Sequence, residues 1–271
     1  MKKGFFAGLM MIFILALVGC GTGEDNASND NAANEKPEKV VVATEAAFAP
    51  FEYMDKGEIV GFDIDFLDAV MKEAGLEYEV KNLGWDPLFA AVQGKEVDMA
   101  VSAITINEKR KQTYDFSFPY FQSTHMILVP EGSDIQNAND LEGKVVGVQN
   151  GTTGQAAVEK LFGEENENIK KFENSVVAIM ELLNGGVDAV VTDNTVVNEY
   201  LKNNPDKNLV GIEDLNNFES EFYGLMFPKD SELKEKLDPA IKEVIENGTY
   251  AEIYKKWFGK EPNVDILLEQ Q

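Results

Sequence analysis

The hydrophobic pattern divides the chain into short apolar runs and longer amphipathic ones. Residues 39–43 form a β-branched run that predicts a first strand, and 78–83 and 99–104 predict two more. Phe62, Phe66, Val70 and Ala74 recur every four residues with Leu67 and Met71 beside them. That spacing predicts a helix opened at 61–65 (GFDID) and stopped at Gly75. Asp86-Pro87 opens a second helix, with Leu88, Phe89 and Val92 as its apolar stripe and Gly94 near its end. Between the first strand and the first helix, residues 44–53 (TEAAFAPFEY) read as a loop with two aromatics flanking Pro50. Strands alternating with helices predict a parallel α/β layer.

A second set of the same units begins after Phe118-Pro119-Tyr120. Residues 126–129, 145–148, 169–172 and 187–191 predict strands. Helices are expected from the Asn150–Gly154 loop through Leu161, over 176–183, and over 193–201. The pattern shifts again near 219–224, where 223–227 reads as a strand. The tail 233–258 is helical, with a break at Asn247-Gly248. No internal repeat at a solenoid period is present.

The first 38 residues follow other rules. Lys2-Lys3 precede an apolar stretch, 5–18, of signal-peptide length, which is too short to read as a membrane span. Leu17-Val18-Gly19-Cys20 resembles a bacterial lipobox, which implies cleavage before Cys20 and lipidation of its sulfur. Residues 21–38 are dense in Asn, Asp, Glu and Gly and read as a disordered tether. Its reach, at about 5–6 Å × √n, is roughly 23 Å. Cys20 is the only cysteine, so an internal disulfide and a cysteine-based metal cluster are both excluded. Removing Lys2 and Lys3 leaves 22 basic residues against 48 acidic ones, a net charge of −26. That charge opposes nucleic acid and anionic lipid as partners and favours the approach of small cations.

Four places carry candidate chemistry, each with a plain alternative. In 98–120 (DMAVSAITINEKRKQTYDFSFPY), Thr105 and Arg110 follow a strand end; together they suit a carboxylate, or they form a solvated basic turn. The Asn150–Gly154 loop offers backbone N–H groups at a helix start, a seat for an anion or an ordinary turn; it lacks the Gly-Lys-Ser/Thr ending of a nucleotide loop. Asp193 is either a helix N-cap or a carboxylate at a strand's carboxyl end, where open α/β sheets bind ligands; Glu45 after the first strand has the same two readings. Phe48 and Trp85 are core aromatics or walls that stack on a ligand. His125, the only histidine, reads as structural, which argues against a zinc site and against a Ser-His-Asp triad.

Taken together, 44–53, 61–65, 98–110, 114–120, 141–148, 188–193 and 247–259 (NGTYAEIYKKWFG) resemble the amino-acid-binding proteins of ABC importers over essentially all of 39–261. The nearest members are the glutamine binders and, closer still, the arginine/lysine/histidine binders. The resemblance implies a type II periplasmic-binding-protein fold: two α/β lobes, each a mostly parallel sheet flanked by helices. Lobe 1 would comprise 39–119 plus 224–271 and lobe 2 would comprise 125–218, joined by hinge strands at 120–124 and 219–223. It also implies the site. Arg110, Thr105, Thr152 and Thr153 would hold the ligand carboxylate, and Asp193, Ala103 and Ser102 the ammonium. Glu45, Phe48, Trp85, Gln149 and Thr192 would enclose the side chain.

Glutamine-binding relatives show Asp, Lys and His where Glu45, Gln149 and Thr192 stand here. Losing two potential cations and keeping a carboxylate favours a basic ligand, arginine first and lysine or histidine next. Ala103 replaces a glycine common in the family. The expected protein is a lipid-anchored extracytoplasmic monomer without cofactor or catalytic role, serving a permease whose ATPase is a separate subunit. Three alternatives stand beside it: a glutamine binder, a dehydratase-like enzyme using Glu45, and a sensor on the same fold.

Overall fold

A computed structural model describes residues 39–271; Cys20, the signal segment and the tether lie outside the described residues. The chain begins with β1 (Val40–Thr44), followed by a short meander of β2 (Ala47–Phe48), β3 (Glu52–Asp55) and β4 (Glu58–Val60). Next come α1 (Phe62–Glu73), β5 (Tyr78–Asn82), α2 (Trp85–Gln93), β6 (Met99–Ala100), α3 (Glu108–Lys111) and β7 (Tyr114–Phe116). The chain then crosses through β8 (Phe121–Ser123) into β9 (His125–Pro130), β10 (Val146–Gln149), α4 (Thr153–Phe162), β11 (Ile169–Phe172) and α5 (Ser175–Leu183). After β12 (Ala189–Asp193), α6 (Asn194–Asn203) and β13 (Leu209–Glu213) it returns through β14 (Glu221–Tyr223). It ends with β15 (Met226–Pro228), α7 (Leu233–Glu246), α8 (Thr249–Phe258) and α9 (Val264–Leu268).

Two five-stranded sheets result, in the orders β5-β1-β6-β15-β7 and β11-β10-β12-β9-β13. Each has one strand running against the rest, β15 in the first and β9 in the second. Each of those strands directly follows a crossing strand, β9 after β8 and β15 after β14, so a purely parallel layer is replaced by two mixed, mainly parallel sheets. The crossing strands β8 and β14 pair antiparallel, with Glu221 opposite Ser123 and Tyr223 opposite Phe121.

The period-two pattern sets which face each residue packs against. On β1, Val40 and Val42 join the core under α1, α7 and α8, whereas Ala43 joins the core under α2. On β9, Ile127 and Val129 face α4, while Met126 and Leu128 face α5 and α6. Both sheets are therefore covered on both sides, and in each the carboxyl ends of the central parallel strands open towards the other sheet.

Four expectations change. Residues 44–53 are not a plain loop but contain β2 and the start of β3, whose two to four residues are too short to show alternation. The strand expected over 99–104 stops at Ala100, because Ala103 takes a left-handed φ of +44° and turns the chain. The strand expected over 187–191 slides forward and ends on Asp193. β13 was not anticipated: it lies at a sheet edge with only Leu209 and Ile212 partly covered. The break expected at Asn247-Gly248 is present, with Gly248 at φ +88° between α7 and α8.

Candidate functional site

Each central strand delivers site residues just beyond its carboxyl end. β1 leads to Glu45 and Phe48, β6 to Ser102, Ala103 and Thr105, β10 to Gln149 and the α4 start, and β12 ends at Thr192 and Asp193. Together with Trp85, Arg110, Thr152 and Thr153, and with Gly154 in addition, they line one cavity between the sheets. The structure thus gathers every sequence-predicted pocket residue among the described residues into one place.

Two open alternatives at the poles are resolved by local geometry. Asn107 caps α3 by accepting from the Arg110 backbone N–H at 2.8 Å. The Arg110 guanidinium donates to the Thr105 carbonyl at 2.9 Å and to the Gly151 carbonyl at 3.4 Å. It also rests 5.4 Å from the Trp85 ring centroid and 5.1 Å from that of Phe89. This is a partly buried cation held by protein groups, not a solvated turn: burial lowers its pKa to about 10, while Glu221 and Asp193 hold it up. Asp193 precedes α6, yet its side chain caps nothing. Its carboxylate accepts from the Tyr223 hydroxyl and lies 3.7 Å from His125 Nε2. Burial, with Glu221 adding repulsion, pushes the Asp193 pKa up to about 7 against the pull of His125, Tyr223 and Arg110.

The α4 start joins the cation pole. Thr152 caps the helix by accepting from the Gln155 N–H at 3.2 Å. The Thr153 hydroxyl lies 3.3 Å from both Thr105 Oγ1 and His125 Nε2. Arg110, two threonine hydroxyls and a ten-residue helix N-terminus form an anion seat.

At the far end, the Gln149 amide donates to Glu45 Oε2 at 2.7 Å across the cleft. The Gln149 amide oxygen accepts from Ser175 Oγ at 3.0 Å, and Ser175 Oγ is 3.2 Å from Thr192 Oγ1. Glu45 is 4% exposed. Burial raises its pKa from 4.5 to about 7; Gln149 lowers it, and Glu173 and Asp86 raise it further. Phe48 and Trp85 stand beside this carboxylate as walls. The arrangement offers an anion seat and two carboxylates, Asp193 and Glu45, in one lining with Phe48 and Trp85.

Sequence reasoning missed three neighbours. His125, read as structural, sits against Asp193, Thr153 and Glu221, its Nε2 lying 3.7 Å from Glu221 Oε1. Glu221 and Tyr223 arrive on β14, and nothing in their local sequence distinguishes them from ordinary strand residues.

Residues 40–260 match the model of the bacterial extracellular solute-binding proteins, family 3. The probable histidine-binding protein of Neisseria gonorrhoeae is 43% identical over 96% of this chain and 97% of its own. The arginine-binding extracellular protein ArtP of Bacillus subtilis (strain 168) is 33% identical over 95% and 98%. The solved structure of the arginine-, lysine-, histidine-binding protein ArtJ from Geobacillus stearothermophilus superposes with a TM-score of 0.84 at 68% identity, covering 85% of this chain and 100% of that one.

Proposed function

The chain belongs to the bacterial extracellular solute-binding proteins, family 3, and on that premise we propose that it binds a basic L-amino acid between its lobes for an ABC importer. It is a binding protein and not an enzyme. Arginine is the expected first ligand, with lysine and histidine next. Relatives described as histidine-binding, as arginine-binding and as arginine-, lysine-, histidine-binding support a basic ligand.

The observation that carries the reading is the set of charges lining one cavity: Arg110 and Asp193 close enough to interact, and Glu45 held by Gln149, with Phe48 and Trp85 in the same lining. Arg110, Thr105 and the N–H groups of Thr152 and Thr153 receive the α-carboxylate. Asp193, the Ala103 carbonyl and the Ser102 hydroxyl receive the α-ammonium. A guanidinium or ammonium at the far end meets Glu45, with Gln149 and Thr192 beside it and the two rings along its stem. Charge-assisted hydrogen bonds are worth about 1.5–3 kcal/mol each, so the two poles supply much of the roughly 8 kcal/mol of a micromolar complex.

Lobe 1 is assigned to 39–119 plus 224–271 and lobe 2 to 125–218, with 120–124 and 219–223 as the hinge. The paired β8 and β14 support that assignment. The ligand favours the closed arrangement by no more than its differential affinity for it. The closed monomer then docks on a membrane permease, held near the bilayer through lipidated Cys20 and the 21–38 tether. Calorimetric titration of residues 21–271, unfolded and refolded to strip ligand, against arginine, lysine, histidine, glutamine and glutamate tests the proposal. Tight arginine binding over glutamine is expected; glutamine alone would overturn the basic specificity, and no binding would overturn the function.

A further inference from the structure

Beneath the ammonium pole lie two acids that no ligand reaches. Glu52 on β3 and Asp63 in the first turn of α1 are both 0% exposed. Glu52 Oε1 accepts from Ser102 Oγ at 2.7 Å. Asp63 Oδ2 accepts from the Ala103 N–H and from the Tyr120 hydroxyl, each at 2.8 Å. The remaining oxygens, Glu52 Oε2 and Asp63 Oδ1, have no donor from any other group. Each buried carboxyl thus has one oxygen held by a donor and one without, and a single proton between the two groups is what would satisfy both orphan oxygens. Two ionised carboxylates in contact in a dry site repel, which favours the same state.

The pair governs what the pole presents. Ser102 Oγ accepts from the Glu45 N–H at 3.1 Å and spends its own proton on Glu52, so towards the cleft it can only accept. Ala103, at φ +44°, holds a backbone conformation that alanine rarely adopts, and its N–H is anchored on Asp63. Tyr120, the third donor, immediately precedes the crossing strand β8.

We propose that Glu52 and Asp63 share one proton and act as a positioning pair, fixing Ser102 and Ala103 as acceptors for the ligand ammonium. This rests on the amino-acid-binding reading above. The titratable groups facing the pair are Glu45, Tyr120 and Tyr250. Burial keeps both tyrosines neutral by raising their pKa well above the usual value. Burial also pushes Asp63 up to about 6 and Glu52 well above its usual range, so one proton stays on the pair at neutral pH.

Amide substitutions separate a shared proton from mere polarity. In Glu52→Gln, the amide oxygen accepts from Ser102 and the NH₂ donates to Asp63. In Asp63→Asn, the oxygen keeps Ala103 and Tyr120 while the NH₂ donates to Glu52. In the double variant both oxygens are still required by those donors, and two NH₂ groups face each other. Each single variant is therefore expected to bind arginine within about threefold of the parent, and the double variant to lose about 10- to 100-fold. A double variant that binds like the parent, or a single variant that loses as much as the double, overturns the proposal.

Should the double variant not fold, Glu52→Gln against Glu52→Met decides. The amide is expected to match the parent and the thioether to lose about tenfold or more; equal loss by both overturns the shared proton. Thermal unfolding of the ligand-free variants keeps the two readings apart. If the parent binds no amino acid, the functional reading fails, while the melting order (single amides like the parent, double amide lower) still tests the proton.

Discussion

Replacing Glu45 with glutamine tests the basis of selectivity. Lifting this carboxyl from 4.5 to about 7 corresponds to a penalty of about 3 kcal/mol on its charged form, at 1.36 kcal/mol per pKa unit. A ligand side chain that carries a positive charge binds the ionised form and must draw the proton off. Below pH 7 the free protein holds that proton, so each unit of pH towards acid lowers arginine affinity by up to about tenfold. Asp193, also raised to about 7, acts in the same direction, but it serves the ammonium that every amino acid carries. The ratio of glutamine to arginine Kd therefore isolates Glu45. It should fall by up to tenfold between pH 7 and 6 in the parent and stay flat in Glu45→Gln. At pH 8 the variant should lose about 10- to 100-fold in arginine affinity, the worth of one charge-assisted contact, while glutamine changes by less than about threefold. Calorimetry from pH 5.5 to 8.5, in buffers of differing ionisation enthalpy, measures affinity and proton release together. A pH-independent ratio in the parent, or a variant that binds arginine like the parent, refutes the reasoning. Stability has its own sign: the folded chain holds this proton between 4.5 and about 7 while the unfolded chain does not. The contribution is therefore full below 4.5 and is lost as pH rises through 7.

Two further outcomes follow from single contacts. Arg110→Lys keeps a charge but loses the fork that reaches the Thr105 carbonyl and the stacking on Trp85 and Phe89, so binding of every amino acid should weaken by about 100-fold or more in the same titration. Gly61→Ala places a Cβ 1.9 Å from the Phe51 carbonyl oxygen at a φ of +148°, and urea unfolding should show a loss of about 2–4 kcal/mol; an unchanged midpoint would contradict the packing described.

What was legible in the sequence is what neighbours along the chain decide. The four-residue spacing of Phe62, Phe66 and Val70 places them in the core whatever lies opposite. The β-branched runs at β1 and β10 likewise announce strands whose ends carry the site. Where the Arg110 guanidinium lies is shown by the Thr105 and Gly151 carbonyls and the Trp85 and Phe89 rings, partners that side-chain type alone does not reveal. The partners of His125 were hidden for a stronger version of that reason. Its neighbours Asp193 and Glu221 lie 68 and 96 positions away and meet it only because β9 pairs with β12 and β8 with β14. Glu52 and Asp63 were hidden similarly: each reads as a polar residue at an element's edge until the fold brings Ser102, Ala103 and Tyr120 onto them.

The hydrogen bonds that hold the lobes together bear on how selectivity can arise. Gln149 to Glu45 at 2.7 Å and Thr105 with Thr153 at 3.3 Å join residues assigned to the ligand, and Arg110 to Gly151 at 3.4 Å uses one such residue. Asn150 to Asp86 at 3.0 Å is exposed at the rim and contributes little. A basic side chain reaching Glu45 competes there with the Gln149 amide. It gains only the difference between an ion pair and an amide–carboxylate bond, together with relief of the burial penalty on Glu45. That difference, not the full strength of a buried ion pair, limits the preference for arginine over glutamine to about 10- to 100-fold from this contact. The same difference limits how far the side chain can bias closure, since a ligand shifts the hinge only by what it gains in one state over the other. Glutamine, sharing both poles but lacking the cation, should close the lobes at saturation as arginine does; small-angle scattering showing it bound to an open form would place the closure energy at Glu45 instead of at the poles.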